Sequence, residues 1–335
     1  MITRPLFITL AVLIFLSCGT KKPGPYRKIA GATQGTTYHF TYEDKENLDI
    51  KSSVDSILKI FDLTFSAYIP NSIVTRINHN DSTVVLNDMF IELFNKSLEI
   101  NKETHGALDL TVGPLVNAWG FGPEKRVQID SARIDSLLQY VGMQKVRIVG
   151  RKLIKDLPGI KIDVNSIAQG YSVDVMYRYF ENLGINNFMV EIGGEVRTKG
   201  KNPKGEIWRI GVDKPVEGES VPGQNLQTII YLDNKAITTS GNYRKYFEEN
   251  GRKYSHIIDP HTGYPYKNSL LSVTVIAKDA LTADGYDTPL MVLGLEGAMA
   301  VLKHHPELEA YMIYSDENGQ YKVEYTKGIQ FSDPN

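Results

Sequence analysis

Helical and strand-like spacings follow one another along this chain without settling into a regular alternation, and that order limits the folds open to it. Residues 53–65 bring Val54, Ile57, Leu58, Phe61 and Leu63 to helical spacing. Residues 88–102 do the same with Met89, Phe90, Leu93, Phe94, Leu98 and Ile100, and Gly106 lies just beyond them. A third helix is predicted over 167–183, stopped by Gly184, and it leads into an apolar strand at 188–192. Strand content otherwise falls at 35–42, 207–212, 227–232, 254–258, 271–277 and 310–314, with one more helix around Asp284. A doubly wound parallel sheet needs strand and helix to alternate. The pattern therefore predicts an α+β fold with mixed, largely antiparallel sheets and packed helices, and no linker divides residues 29–331.

The amino terminus reads as a targeting segment. A charged start through Arg4 precedes a short apolar run, 6–16, shorter than the roughly 20 residues a spanning helix needs. It ends in Leu16-Ser17-Cys18-Gly19, which resembles a bacterial lipobox with Cys18 as the lipid-modified residue. Cys18 is the sole cysteine, so the chain has no intrachain disulfide and no thiolate metal cluster. The expected organisation is a signal peptide at 1–17, a lipidated cysteine and tether at 18–28, and a folded unit at 29–335. That places the protein on a bacterial membrane surface, facing the periplasm. A formal net charge of −2, with both signs mixed along the chain, provides no basic stripe for nucleic acid.

Several segments carry chemistry. Asp284 and Thr288 stand one helical turn apart on an otherwise apolar stretch, and oxygen donors on one helix face suit a hard cation such as Mg2+. The same spacing also serves as a helix cap or a solvated face. Residues 104–122 pack four glycines, Pro114, Trp119 and Phe121 around polar side chains, which describes either a ligand-shaping loop or a structural turn. Residues 162–174 read as a strand end, a polar turn and a helix start, the last of these an anion-binding element or a plain cap by Asn165 or Ser166. Gly193-Gly194 marks a strand end or a hairpin. His256 and His261 flank a turn, and histidine is the side chain most easily poised as a base near neutral pH. Tyr68 offers a flat ring for stacking or for ordinary packing. The chain lacks G-x-G-x-x-G, the P-loop, H-E-x-x-H, G-x-S-x-G and C-x-x-C, which leaves the enzyme classes built on them without support.

Taken in order, these stretches, together with 31–36, 65–72, 239–244, 256–263 and 283–294, resemble the ApbE-type FAD:protein FMN transferases of bacterial envelopes. The resemblance implies a T-fold-like protein of two intimately associated lobes with FAD between them and Mg2+ on its pyrophosphate. FMN would pass to a threonine hydroxyl of a membrane redox partner while AMP leaves. It also implies metal ligands in the Ala168 carbonyl, the Asp284 carboxylate and the Thr288 hydroxyl, with Asp287 close by. Tyr68 would stack on the flavin, and Gln34, Ala107, Leu108, Asp109, Asn165, Tyr171 and Ile258 would line the FAD site, several through backbone groups. His256 is the candidate base, and Cys18 agrees with the family's lipid anchor. Three positions depart from the family pattern: Gln34 replaces a usual methionine, Gln169 a usual lysine or glutamate, and Pro289 enters the helix after Thr288, where it is expected to free or kink the Gly285 carbonyl. A Mg2+-dependent FAD pyrophosphatase and a non-catalytic FAD-binding lipoprotein are the alternative readings.

Overall fold

The computed structural model describes residues 24–216, 223–242, 246–249 and 252–334. The expected signal segment and Cys18 lie outside the described residues. In chain order the elements are β1 (Tyr26–Thr33), β2 (Thr36–Glu43), α1 (Lys51–Phe65), α2 (Ile73–Asn78), α3 (Asp88–Glu103), α4 (Gly113–Trp119) and α5 (Ser131–Leu138). Then come β3 (Val146–Val149), β4 (Lys152–Lys155), α6 (Ala168–Asn182), β5 (Phe188–Ile192), β6 (Glu195–Lys199), β7 (Trp208–Asp213) and β8 (Leu226–Leu232). The chain closes with β9 (Ala236–Gly241), β10 (Tyr246–Glu249), β11 (Arg252–Ser255), β12 (Leu270–Ala277), α7 (Ala280–His304), β13 (Glu309–Ser315), β14 (Tyr321–Tyr325) and β15 (Phe331–Ser332).

One sheet organises these pieces, in the order β1-β2-β5-β6-β9-β12-β13-β14, with every neighbouring pair antiparallel. Helices cover one face. There Phe40, Tyr42, Phe188 and Val190 meet Phe180 and Val173 of α6, while Val273, Val275 and Met312 meet Tyr286, Leu290 and Met291 of α7. The other face of the same strands, through Val196, Ile237, Ile276 and Ile313, packs on Ile230 and Leu232 of a three-stranded sheet, β15-β8-β7. Strand β12 is covered on both faces, which is why it reads as an almost unbroken apolar run. The α+β prediction holds.

The details depart from the periodicity in four places. β1 starts at Tyr26, three residues before the expected start of the fold; it is an edge strand whose exposed residues are Arg27, Lys28, Ala30 and Ala32, so no apolar/polar alternation announces it. The strand expected at 254–258 stops at Ser255. Asp259 captures the chain there, accepting from His261 N–H (2.9 Å) and Thr262 Oγ1 (3.0 Å), and Ile258 keeps a single bridge to Pro265. The strand expected before Asn165 reduces to one parallel bridge, Val112 to Lys161. Finally, α7 runs through Pro289 and breaks at Gly294 (φ 71°, ψ 176°), where Asn268 Nδ2 donates to the Met291 carbonyl (2.8 Å).

Candidate active site

The amino-terminal turns of α6 and α7 and the end of β9 converge. α7 begins at Asp279, whose side chain accepts from Thr282 N–H (2.8 Å). One turn later Asp284, 5% exposed, reaches across to α6 and accepts from Gly170 N–H (2.7 Å). No side chain of the 165–167 turn caps α6, so the cap expected from Asn165 or Ser166 is supplied by Asp284 from another helix. Asn165 is exposed and donates to Asp163 instead. The close approach requires glycine at position 170: a Cβ there would stand 2.3 Å from the Ala280 carbonyl oxygen and 2.5 Å from Asp284 Cβ.

Asp287 and Thr288 complete the junction. Thr288 Oγ1 lies 2.8 Å from Ser240 Oγ on β9 and donates to Asp287 Oδ1 (3.2 Å). Burial pushes the Asp284 carboxyl up to about 7, with the Gly170 amide pulling the other way and Asp174 adding repulsion. Burial and then the Asp284 charge push the Asp287 carboxyl well above the ordinary carboxylate range, against hydrogen bonds from Thr238 and Thr288. Two adjacent buried acids without a cation are electrostatically unsatisfied. Among the described residues no three His, Cys, Asp or Glu side chains group to hold a metal ion. A cation here would therefore draw on these few protein oxygens, carbonyl and hydroxyl included, with the remainder from substrate and water, which is how Mg2+ is usually held. The residues fit that ion.

The other expected residues divide. Tyr68 presents its ring to solvent, 65% exposed, on a turn pinned by Ser66 Oγ, which accepts from Tyr68 N–H (3.1 Å) and Ile69 N–H (3.2 Å). Gln34 and Gly35, both at positive φ (51° and 73°), form the two-residue β1–β2 turn, and Gln34 Nε2 is buried with no hydrogen-bond partner among the described residues. Gln169 donates to the Ile192 carbonyl (3.1 Å), tying α6 to the Gly193-Gly194 hairpin between β5 and β6. Ala107 and Leu108 are buried, so they can meet a ligand only through main-chain groups. Tyr171 is likewise limited to its main chain. Its ring has 0% exposure among Phe61 and Phe65, and its hydroxyl donates to Glu92 Oε2 (2.5 Å), so the side chain belongs to the core.

Asp109 is also committed: it accepts from Thr111 N–H (2.7 Å), Thr111 Oγ1 (2.5 Å) and Met143 N–H (3.1 Å). A cavity of about 380 Å³ lies beside this loop, lined in part by Lys102, His105, Asp109 and His261. Trp119 Nε1 donates to the Gly263 carbonyl (2.9 Å) and its ring stacks on Tyr254, locking the glycine-rich loop to the histidine turn. His256 is half-buried with its ring at an angle of 70° to that of Phe121, and Ile258 packs beneath in the cluster with Leu115 and Trp119. Sequence reasoning did not assign roles to Gly170 and Ser240; a glycine in the first turn of a helix was the available signal for the former.

The sequence and the overall fold are shared with known proteins. Residues 34–312 match the ApbE family model. The chain is 39% identical over 324 residues to a protein of Vibrio cholerae named FAD:protein FMN transferase, covering 94% of this chain and 95% of the relative. A protein of the same name from Haemophilus influenzae is 40% identical over 306 residues, with 87% of each chain covered. The solved structure titled Flavin Transferase ApbE from Vibrio cholerae superposes with a TM-score of 0.82 at 37% identity, covering 91% of this chain and 98% of the other.

Proposed function

This chain belongs to the ApbE family, an FAD:protein FMN transferase that carries flavin to a protein, and we propose the finer chemistry of that transfer. FMN passes from FAD to a threonine hydroxyl of a membrane redox subunit, AMP leaves, and the reaction depends on Mg2+. The supporting observation is the pair of adjacent buried acids at the α6–α7 junction, Asp284, with the Gly170 amide as its one donor among the bonds described, and Asp287, beside the half-exposed Thr288 hydroxyl.

The Ala168 carbonyl, Asp284 and Thr288 would hold Mg2+, with Asp287 alongside; the ion would neutralise pyrophosphate charge and so make phosphorus a better electrophile. The chain's own residues do the rest. Asp284 bonds Gly170 and thereby fixes the start of α6 against α7. Tyr68, already held outward, stacks on the flavin, and the buried Gln34 amide is a donor available to it. The threonine oxygen of the acceptor attacks the FMN phosphorus, the bond from that phosphorus to the AMP oxygen breaks, and His256 takes the threonine proton. Such a base contributes about 10²- to 10⁴-fold. Cys18 anchors the enzyme to a bacterial envelope membrane, with its folded unit facing the periplasm.

The test uses the protein starting at Gly24, because Gly24 N–H donates to Glu43 Oε1 (2.7 Å) and a start at Ile29 would remove part of β1. Incubation with FAD, Mg2+ and an acceptor domain bearing a candidate threonine should add one FMN mass to the acceptor and release AMP. Loss of labelling when the threonine is replaced by alanine identifies the attacking group. Free FMN and AMP without labelling would instead favour the pyrophosphatase.

A further inference from the structure

Asp174 lies one turn beyond Gly170 on α6, and its side chain is fully buried at 0% exposure. Its bonds leave its own helix. Oδ1 accepts from Ala280 N–H (3.0 Å) and Oδ2 from Leu281 N–H (2.8 Å), the first two amides of α7. Arg197, on β6, donates from Nη1 to Asp174 Oδ1 (2.6 Å), and its guanidinium sits 3.7 Å above the Tyr177 ring. α7 thus has two caps, Asp279 at its own N-cap position and Asp174 from α6.

One cap is enough to start a helix. A second one, from a neighbouring helix, sets how the first is rotated against that neighbour. Gly170 and Asp174 are successive positions on one face of α6, and Ala280 and Asp284 are successive positions on one face of α7. The Gly170–Asp284 and Asp174–Ala280 bonds are therefore two rungs of one ladder. The rung at the site holds Asp284; the rung behind it holds the helix that carries Asp284, Asp287 and Thr288.

We propose that Asp174, held by Arg197, is a positioning residue for flavin transfer. It fixes the rotation of α7 so that Asp284, Asp287 and Thr288 stay aimed at the reacting pyrophosphate. The inference rests on the reading of the α6–α7 junction as the reaction centre. Asp174→Asn keeps the shape of the side chain but turns an amide NH2 toward an N–H donor, loosening the ladder. The expected result is a 10- to 100-fold fall in kcat and a comparable weakening of Mg2+ binding, measured by calorimetry on the FAD-loaded protein, with KM for FAD within about twofold.

Arg197→Lys, which keeps a cation beside Asp174, should retain most of the wild-type kcat and Mg2+ affinity. Phe180→Leu loosens α6 against β2 and β5 without touching α7, and should lower the melting temperature while leaving kcat and Mg2+ affinity unchanged. Wild-type kcat and Mg2+ affinity in Asp174→Asn would overturn the proposal, as would an equal loss in Phe180→Leu. If Asp174→Asn does not fold, Arg197→Gln, which leaves both caps in place but frees Asp174 from its cation, provides the same measurement with the same expected direction. Asp284→Ala separates the two failures. Full activity there would sink the reading of the site itself, whereas an inactive Asp284→Ala beside an unaffected Asp174→Asn would sink the positioning role alone.

Discussion

Asp109 and Asp284 are both buried acids, 7% and 5% exposed, and burial raises the pKa of each, yet they sit in opposite circumstances. Asp109 accepts three hydrogen bonds, from the Thr111 amide, the Thr111 hydroxyl and the Met143 amide, and these hold the glycine-rich loop in shape. Asp284 has the Gly170 amide alone among the bonds described and faces a second buried acid, Asp287. Burial by itself does not distinguish the two. The number of donors does: a carboxylate with its acceptor sites filled is part of the scaffold, and one left short is waiting for positive charge.

Replacing the acids one at a time is the strongest way to break that comparison. Asp284→Ala should reduce flavin transfer by about 10³-fold, a loss of roughly 4 kcal/mol of transition-state stabilisation, while raising the melting temperature of the metal-free protein. A fall in stability instead would mean that Asp284 is scaffold like Asp109. Next in size, Mg2+ with FAD at about 100 times its dissociation constant should stabilise the wild type by roughly 2.7 kcal/mol in thermal melts. The Asp284→Ala variant should show no such response to Mg2+.

Asp109→Ala should behave in the opposite sense, costing about 1–3 kcal/mol in urea unfolding because buried donors on Thr111 and Met143 lose their acceptor. A stability gain there would erase the distinction. Taken per pH unit, the smallest effect is in pH. Asp284 has its folded pKa raised to about 7, so between the ordinary carboxylate range and pH 7 the folded state binds more protons than the unfolded one. Stability of the metal-free protein should therefore fall as pH rises through that window, by at most about 1.4 kcal/mol per pH unit from this group, and flatten above it. Asp284→Asn should remove this slope, whereas Asp109, with its three donors, should contribute less of one.

Much of this was legible in the residues. The helices at 51–65, 88–103 and 168–182 and the strands at 188–192 and 270–277 followed from spacing, because each buries one stripe or face and the apolar residues must recur at the element's own period. Asp284 and Thr288 were legible as a pair, because positions four apart on a helix share a face whatever surrounds them. Strands β1, β6 and β9 were not. The small residues of β9, the Thr238, Thr239, Ser240 run, acquire strand geometry from β6 and β12, which are distant in sequence, while β1, with Gly31, and β6 are drawn into the sheet by their hairpin partners β2 and β5.

Local sequence thus determined which elements could form and which side chains carry donor oxygens, since propensity and periodicity act over a few residues. The tertiary structure alone decided the pairings that give those oxygens meaning. Gly170 meets Asp284 114 residues away, and Asp174 meets Ala280 at a separation of 106. It also decided that Tyr171 belongs to the core and that Asp109 belongs to the loop. Hydrogen bonding and desolvation depend on what is packed within a few ångströms, and for these groups the chain supplies that neighbour only after it has folded back on itself.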